Sequence, residues 1–437
     1  MLSEAAFEKW FNKDSLIEIY YKYVMLSTAT GIDGVKADMK FDIESEVELI
    51  IDKIESGNFK FSKYKEILKS KGAGKPPRVI SIPTVRDRVV LKAIHLVLQD
   101  IYPESANTLI PQMMLDNVKS GVKDYNYSSF IKIDVKEFYP SIPHEKLMAC
   151  VSEKTRSETL IKLISQAISN FTGKNKHLVG IPQGLSISNI LAEIYLNDLD
   201  DKYRNKNNIL YFRYVDDVLI LSKESRPKPL LDEFIDDMKA KGLTCHSYEL
   251  EDSKTKIGRL TETFDFLGYD IKNRVLTVKK DSIHKLESSL AKIIFSHKYM
   301  SNPKHHITKA RLNIRITGCI FEGRRRGWLF YYSQMEDLKV LHKIDITIKK
   351  MISKSRLPIK PKSIVKAFGE CSRQVLKNHK YIINFDEYSI SDKRKYMEDH
   401  IDAQTLSTIS DDVVDFIFSR KIRYLVKDLE QDLRDNS

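Results

Sequence analysis

Stretches of helical and of strand-like hydrophobic spacing alternate along the chain. Residues 4–27 place apolar side chains at helical intervals, until Thr30-Gly31-Ile32-Asp33-Gly34 breaks the pattern with two glycines around an acid. Aromatic and basic positions over 59–83 enclose Gly72-Ala73-Gly74-Lys75-Pro76-Pro77-Arg78, a basic loop between two short strands, the second being Arg78–Ile82. After Pro83, the positions Val90, Ile94, Val97, Leu98 and Ile101 form one apolar helical stripe. Ser129–Val135 alternates as a strand does, with Ile131, Ile133 and Val135 on one face and Lys132 and Asp134 on the other. Residues 144–171 read as helical. Gly180-Ile181-Pro182-Gln183-Gly184 reads as a turn before a helix that carries Ile187, Ile190, Leu191 and Ile194 on one side. A helix near 229–241 and a strand over Phe264–Ile271 follow, and beyond about residue 280 the pattern is helical, interrupted by Pro358 and Pro361. This order predicts an α+β protein whose sheet is mainly antiparallel.

One segment breaks its own pattern. Ile209–Ser222 is built to be buried, yet it carries Asp216-Asp217 at its centre. Burying that pair unpartnered would cost several kcal/mol, so a bound cation or a sharp turn back to water is required. The flanking β-branched and aromatic residues predict a hairpin with its turn near Val215-Asp216. An acidic pair there also suits a solvated hairpin end. Asp134 emerges from a separate strand, and two strands of one sheet can bring it to the pair. Nucleotidyl transfer by two magnesium ions needs at least two carboxylates bridging the metals, and magnesium takes few protein ligands, so three aspartates suffice.

Composition narrows the partner. A chain of 437 residues, 42% hydrophobic and 30% charged, can form two or three cooperating subdomains and is not disordered throughout. Its net charge of +12 is uneven: residues 270–380 hold 26 Lys and Arg against 8 Asp and Glu, net +18, leaving the remainder at −6. A polyanionic partner is implied. Arg324-Arg325-Arg326-Gly327-Trp328-Leu329-Phe330-Tyr331-Tyr332 interleaves cations with rings, which suits phosphate contact beside stacking or packing aromatics. Residues 381–437 are acidic instead, and whether they dock on the basic region is left open. No window approaches the ~20 apolar residues of a membrane helix, and Met1–Trp10 is acidic and amphipathic where a signal peptide is basic and then apolar. Cys150, Cys245, Cys319 and Cys371 are far apart, which points to buried thiols in a reducing cytoplasm; His305, His306 and His379 lack a matching zinc-ligand set.

These residues together resemble reverse transcriptases of the bacterial branch that includes group II intron and retron enzymes, over roughly residues 28–335. Tyr214-Val215-Asp216-Asp217 is similar to the family's catalytic hairpin, and Asp134 in Ile131–Tyr139 to its other metal-binding strand. The resemblance implies that Asp134 and Asp216 bridge two Mg2+ ions, with Mn2+ as the alternative ion, that the carbonyl of Val135 assists, and that Asp217 supports them. It implies that Tyr139 blocks a ribose 2′-hydroxyl, so deoxynucleotides are preferred. Gln183 in Pro182-Gln183-Gly184 would contact the incoming nucleotide, and Lys75 and Arg78 would grip its triphosphate. Ile82–Val90 is also like the bacterial enzymes, and Gly31-Ile32-Asp33-Gly34 resembles the N-terminal extension of intron relatives. Lys254 resembles the lysine that protonates the leaving pyrophosphate, with Lys256 competing. Phe266, Leu267 and Gly268 resemble the primer grip. Arg324, Arg325, Arg326 and Trp328 are the candidate nucleic-acid contacts of the basic thumb.

The implied fold is a right-hand polymerase: N-terminal extension and fingers over 1–128, an antiparallel-sheet palm over 129–272 with inserted finger helices over 146–179, a helical basic thumb over 273–380 and an acidic helical segment over 381–437. The implied activity is RNA-directed DNA synthesis from deoxynucleotides on a structured non-coding RNA template, with a DNA product or primer. Departures from the pattern matter too. No ribonuclease H segment and no endonuclease module is seen, which argues against a complete retrohoming intron enzyme. Ile316-Thr317-Gly318 is superficially like a retron thumb triplet but lies too far beyond Phe266-Leu267-Gly268 to count. Gly327–Leu338 instead resembles thumbs of intron-like and defence-associated enzymes, which implies a cytoplasmic ribonucleoprotein in anti-phage defence. A maturase-like RNA-binding protein and a template-independent or protein-primed polymerase are the alternatives.

Overall fold

A computed structural model describes residues 2–70, 76–106, 110–170, 178–249, 253–299, 304–372, 381–431 and 433. The chain divides into two units, one of residues 1–109 with 126–259 and one of 110–125 with 260–437.

Among the described residues the first unit holds six strands: β1 (Lys65–Lys69), β2 (Arg78–Ile82), β3 (Ser129–Asp134), β4 (Ile209–Tyr214), β5 (Asp217–Ser222) and β6 (Lys256–Arg259). β1 and β2 form an antiparallel ribbon, while the other four make one antiparallel sheet in the order β4-β5-β3-β6. The run Val218-Leu219-Ile220-Leu221 is buried along its whole length, because β5 lies inside the sheet with both faces covered. Lys132 on β3 is buried too, so the face that alternation assigns to solvent is closed in the fold. The helix Val85–Ile101 buries its predicted stripe. Its N-cap Thr84 accepts from the Asp87 amide, and Asp87 in turn accepts from the Ser62 amide at 2.9 Å beside Arg86. Gly31 lies against that N-terminus so closely that an added Cβ would stand 2.7 Å from the Thr84 Cα. Helices over Ser188–Arg204 and Lys228–Ala240 are joined by Tyr203, whose ring lies 4.9 Å from that of Phe234 and whose hydroxyl donates to Asp237 at 2.7 Å.

The second unit contains β7 (Phe264–Phe266), β8 (Tyr269–Lys272), β9 (Val275–Val278), β10 (Cys319–Phe321), β11 (Arg324–Arg326) and β12 (Ile383–Asn384). Two expectations are corrected here. The single strand over Phe264–Ile271 folds back as a hairpin, since Leu267 (φ 46°) and Gly268 (φ 79°) both adopt the left-handed region that a two-residue hairpin loop needs. The region beyond about residue 280, read as helical, contains a second sheet in the order β11-β10-β12, turned by Glu322 (φ 54°) and Gly323 (φ 65°) in the same manner.

The open question about the acidic segment is also resolved. The Asp386 carboxylate accepts from the Glu322 and Gly323 amides at 2.7 and 2.9 Å, Glu430 pairs with Arg326 at 2.9 Å, and Arg423 pairs with Glu322 at 2.6 Å. Phe385, Met397, Val414, Phe418 and Ile422 share a core with Ile314, Cys319 and Phe321. Residues 381–431 therefore pack in the same unit as the basic helices, and no unit boundary falls at residue 381.

Gly318 ends the helix His305–Thr317 at φ 70°, where an added Cβ would run into the Arg326 carbonyl oxygen. Gly318→Ala should destabilise this unit by about 1–3 kcal/mol, a melting shift of roughly 2–10 °C. Gly369→Ala, in a helix with open space around the Cα, should be neutral or stabilising by up to ~1 kcal/mol. Thermal unfolding of the two variants beside the wild type checks both.

Candidate active site

The acidic pair sits on a two-residue hairpin. Tyr214 pairs with Asp217 across β4 and β5, so Val215 and Asp216 alone make the turn. Val215 takes φ 59°, a conformation that costs a β-branched residue strain and must be held from outside. Arg213 supplies part of that hold. Its Nη1 donates to the Val215 carbonyl at 3.1 Å, its Nε to Asp200 Oδ1 at 2.7 Å and its Nη2 to Glu193 Oε2 at 2.6 Å. Glu193 and Asp200 lie two helical turns apart on the face of Ser188–Arg204 that meets the sheet. The three charged groups are buried; burial acts against the Arg213 charge, but hydrogen bonding and the charge of Asp200, with Glu193 behind it, hold its pKa above the ordinary value. Tyr211 completes the group by donating to Asp200 at 2.8 Å. Arg213 is a support of the turn that sequence reasoning missed. Its only signal is a cation at an inward strand position, and its partners lie on a distant helix.

Strand pairing brings in Asp134. Antiparallel register sets Asp134 opposite Asp217, and the Val135 amide donates to the Asp216 carbonyl at 3.4 Å. Burial raises the Asp216 pKa above the usual carboxylate range, the Asp134 charge adds to the rise, and Arg78 and Lys254 pull it back. Lys254 Nζ lies 3.2 and 3.0 Å from the two Asp134 oxygens, so of the two lysine candidates it is Lys254 that reaches the acids; Lys256 is exposed on β6. His246, which no motif singled out, places Nε2 3.2 Å from Asp134 Oδ2. Burial lowers the His246 pKa, Asp134 pulls it back up, and Lys254 and Lys136 add to the fall.

Backbone hydrogen bonds tie β2, the Gln183 turn and Tyr139 together. The Ser81 amide of β2 donates to the Gln183 carbonyl at 2.7 Å, tying the strand that begins with Arg78 to the turn. Gly184 makes this possible: at φ 107°, an added Cβ would stand 2.7 Å from the Ser81 oxygen. The Ile181 amide donates to the Tyr139 carbonyl at 2.8 Å, and the Tyr139 hydroxyl donates to Asn189 Oδ1 at 3.1 Å. Burial raises the Tyr139 pKa, with the charges of Glu193 and Asp216 adding to it. Arg78, Asp134, Tyr139, Gln183, Asp216, Asp217 and Lys254 thus belong to one connected piece of the first unit. Lys75 lies outside the described residues.

The remaining candidates belong to the second unit. Phe266, Leu267 and Gly268 form the β7–β8 turn of the second unit, with the Phe266 and Leu267 side chains buried and the Leu267 carbonyl accepting from the Tyr331 hydroxyl at 3.1 Å. The reading of Trp328 as a nucleic-acid contact is corrected: it is 2% exposed and its Nε1 donates to Ser282 Oγ at 3.0 Å, so its ring packs. Arg326 is held by Glu430, and Arg325 is half-buried with its guanidinium 5.6 Å from the Phe330 ring centre; Arg324 is exposed.

Among the described residues no three His, Cys, Asp or Glu side chains form a ready-made metal cage. A hard cation that keeps most of its water needs none, and Asp216, raised by burial and by Asp134, is the group that such a cation would relieve. Asp134 and Asp216 fit a shared divalent ion, with Asp217 and the Val135 backbone adjacent.

Residues 67–271 match the family model described as reverse transcriptase (RNA-dependent DNA polymerase). That segment is similar to reverse transcriptases. The match spans Arg78, the three aspartates, Tyr139, Gln183, Lys254 and Phe266–Gly268, and stops short of the Arg324–Trp328 run. An uncharacterised 91 kDa protein in the cob intron of Schizosaccharomyces pombe is 32% identical over 212 residues, 44% of this chain and 25% of that protein. The group II intron-encoded protein LtrA of Lactococcus lactis is 25% identical over 167 residues, 36% of this chain and 28% of the relative. The chain therefore spans about a quarter of the length of such curated relatives. A solved apo telomerase from Candida tropicalis is 14% identical and aligns over 90% of this chain and 70% of its own, with a TM-score of 0.40.

The raised Asp216 pKa has a thermodynamic consequence. A carboxyl whose folded pKa exceeds its unfolded one contributes stability that is fully present below the unfolded value and lost as pH rises through the folded one. In chelator, Asp216→Asn should therefore melt above the wild type at pH 7–8, and the gap should close as pH falls toward about 4. Melting curves across that range check the sign.

Proposed function

We propose that the chain is an RNA-directed DNA polymerase that extends a DNA strand on an RNA template with deoxynucleotides. The observation that carries this is the strand register that sets Asp134 opposite Asp217 beside the Asp216 turn, in the same unit as Arg78, Tyr139 and Gln183. Asp134 and Asp216 would hold the divalent ions, Mg2+ or Mn2+, with Asp217 and the Val135 carbonyl in support. When bound, such ions supply Lewis-acid activation of the attacking hydroxyl and neutralise charge on the leaving pyrophosphate. The chain's own groups do the rest. Arg78 binds triphosphate oxygens with its planar fork. Tyr139, its hydroxyl tied to Asn189, presents a fixed ring edge to the sugar and favours one that lacks a 2′-hydroxyl. The Gln183 turn, anchored through Ser81, orients the nucleotide. Lys254 carries a proton within reach of the acids and can deliver it to the leaving group.

Template binding is assigned to a surface other than the Arg324–Trp328 run. The helix Lys339–Ser355 buries Leu341, Ile344 and Ile348 and exposes Lys339, His342, Lys343, Lys349, Lys350 and Lys354. Its one acid, Asp345, accepts from the Ser363 hydroxyl and the Ile364 amide at 2.6 and 2.8 Å, so the exposed face is cationic along about 22 Å. Such a face suits a phosphate backbone. The division into fingers, palm and thumb belongs to this reading, with Phe266–Gly268 as the primer grip. So does service in anti-phage defence with a locally encoded non-coding RNA, supported by the resemblance over Gly327–Leu338. The intron-encoded relatives favour one second reading, a maturase-like protein that holds structured RNA.

Asp216→Ala combined with Asp217→Ala should cut DNA synthesis at least about a thousandfold while leaving the fold and RNA affinity intact, measured by primer extension beside a binding assay. Full polymerase activity in the double variant would sink the metal assignment, and a cellular role that survives it would favour the maturase-like reading. Neutralising Lys343, Lys350 and Lys354 together should weaken RNA binding and flatten the dependence of log Kd on log salt by about 2, at roughly 0.7 per phosphate contact with a single strand. An unchanged slope would remove this helix from the interface.

A further inference from the structure

Asp134 is the last residue of β3. Beyond it the chain is held by a different segment. The Lys136 amide donates to the Thr244 carbonyl at 2.8 Å, the His246 amide donates to the Asp134 carbonyl at 3.0 Å, and Val135 bridges Cys245. Buried Leu243 and Cys245 anchor that segment to the core, so its backbone is fixed at Asp134 itself. From there the His246 ring reaches Asp134 Oδ2 at 3.2 Å.

We infer that His246 is a positioning residue for Asp134, its Nε2 holding one carboxylate oxygen so that the other faces the cation site. The inference rests on the reading of Asp134 as a metal-holding acid. Lys254 does not do the same work. It spans both Asp134 oxygens from a side chain that is 58% exposed, and its ammonium carries the charge that a divalent ion would bring to that place. The imidazole is shorter and stiffer, is pinned at its own backbone, and lies 3.2 Å from Oδ2. A donor that orients a ligating carboxylate in this way typically governs metal affinity by about 10–100-fold.

The test is Mn2+ binding to the full chain, read from the electron paramagnetic resonance signal of free Mn2+, for the wild type, Asp134→Ala, His246→Leu and His246→Gln. Asp134→Ala should abolish the site, His246→Leu should weaken it about tenfold, and His246→Gln, whose amide can donate from a similar place, should stay within about threefold of wild type. In primer extension, His246→Leu should raise the Mn2+ concentration for half-maximal rate by a similar factor, with the deoxynucleotide KM unchanged at saturating metal. Wild-type affinity in His246→Leu, with Asp134→Ala dead, overturns the inference and leaves the metal site standing. Equal weakness in the Gln and Leu variants also overturns it, since the donor would then be irrelevant. Binding undiminished by Asp134→Ala removes the metal reading and this inference with it.

Discussion

The antiparallel register of β3 against β5 is the constraint on which the candidate site depends. It sets Asp134 against Asp217 and places the Val135 amide on the Asp216 carbonyl, joining acids that are far apart along the chain. Side chains alternate with a period of two, so a slip of one residue would turn Asp134 to the opposite face. The pairing that holds this register matches the buried run Val218–Leu221 with Phe130, Ile131 and Ile133. The same apolar burial that stabilises the sheet therefore fixes the chemistry at its end.

That arrangement stores cost at the hairpin tip. Val215 occupies a left-handed backbone conformation, Asp216 is partly desolvated beside a second carboxylate, and Arg213 lies buried between Glu193 and Asp200. A buried ion pair is weak evidence for stability in itself, because desolvation consumes most of the attraction. Its geometry does more here: the guanidinium reaches the Val215 carbonyl and ties the strained turn to the helix behind the sheet. The position where the fold is least comfortable is the one where a cation would be most welcome.

In the second unit, charge proved a poor guide to surface. Arg324–Tyr332 looked like an interface because cations alternate with rings, yet Trp328, Phe330 and Tyr332 pack inward and Arg326 pairs with Glu430. The acidic C-terminal segment supplies several of the counter-charges and part of the core. Lysines that stay exposed in this unit include those of Lys339–Ser355, whose opposite side buries Leu341, Ile344 and Ile348.

By itself the sequence determined the α+β class and most element positions, and it singled out Asp134, Asp216 and Asp217 as the candidate acids. Periodicity reports which side of an element is buried, and a carboxylate pair inside an apolar run has few physical explanations. It also marked the turn at Pro182-Gln183-Gly184, since a close backbone approach demands glycine. Only the tertiary structure decided what depends on partners remote in sequence. It folded Phe264–Ile271 back on itself through two positive-φ residues, placed a sheet among helices at Cys319–Arg326, joined Arg213 to Glu193 and Asp200, chose Lys254 over Lys256, and set His246 on Asp134. Each is a meeting of side chains or backbones from separate elements, and linear spacing carries no record of such meetings.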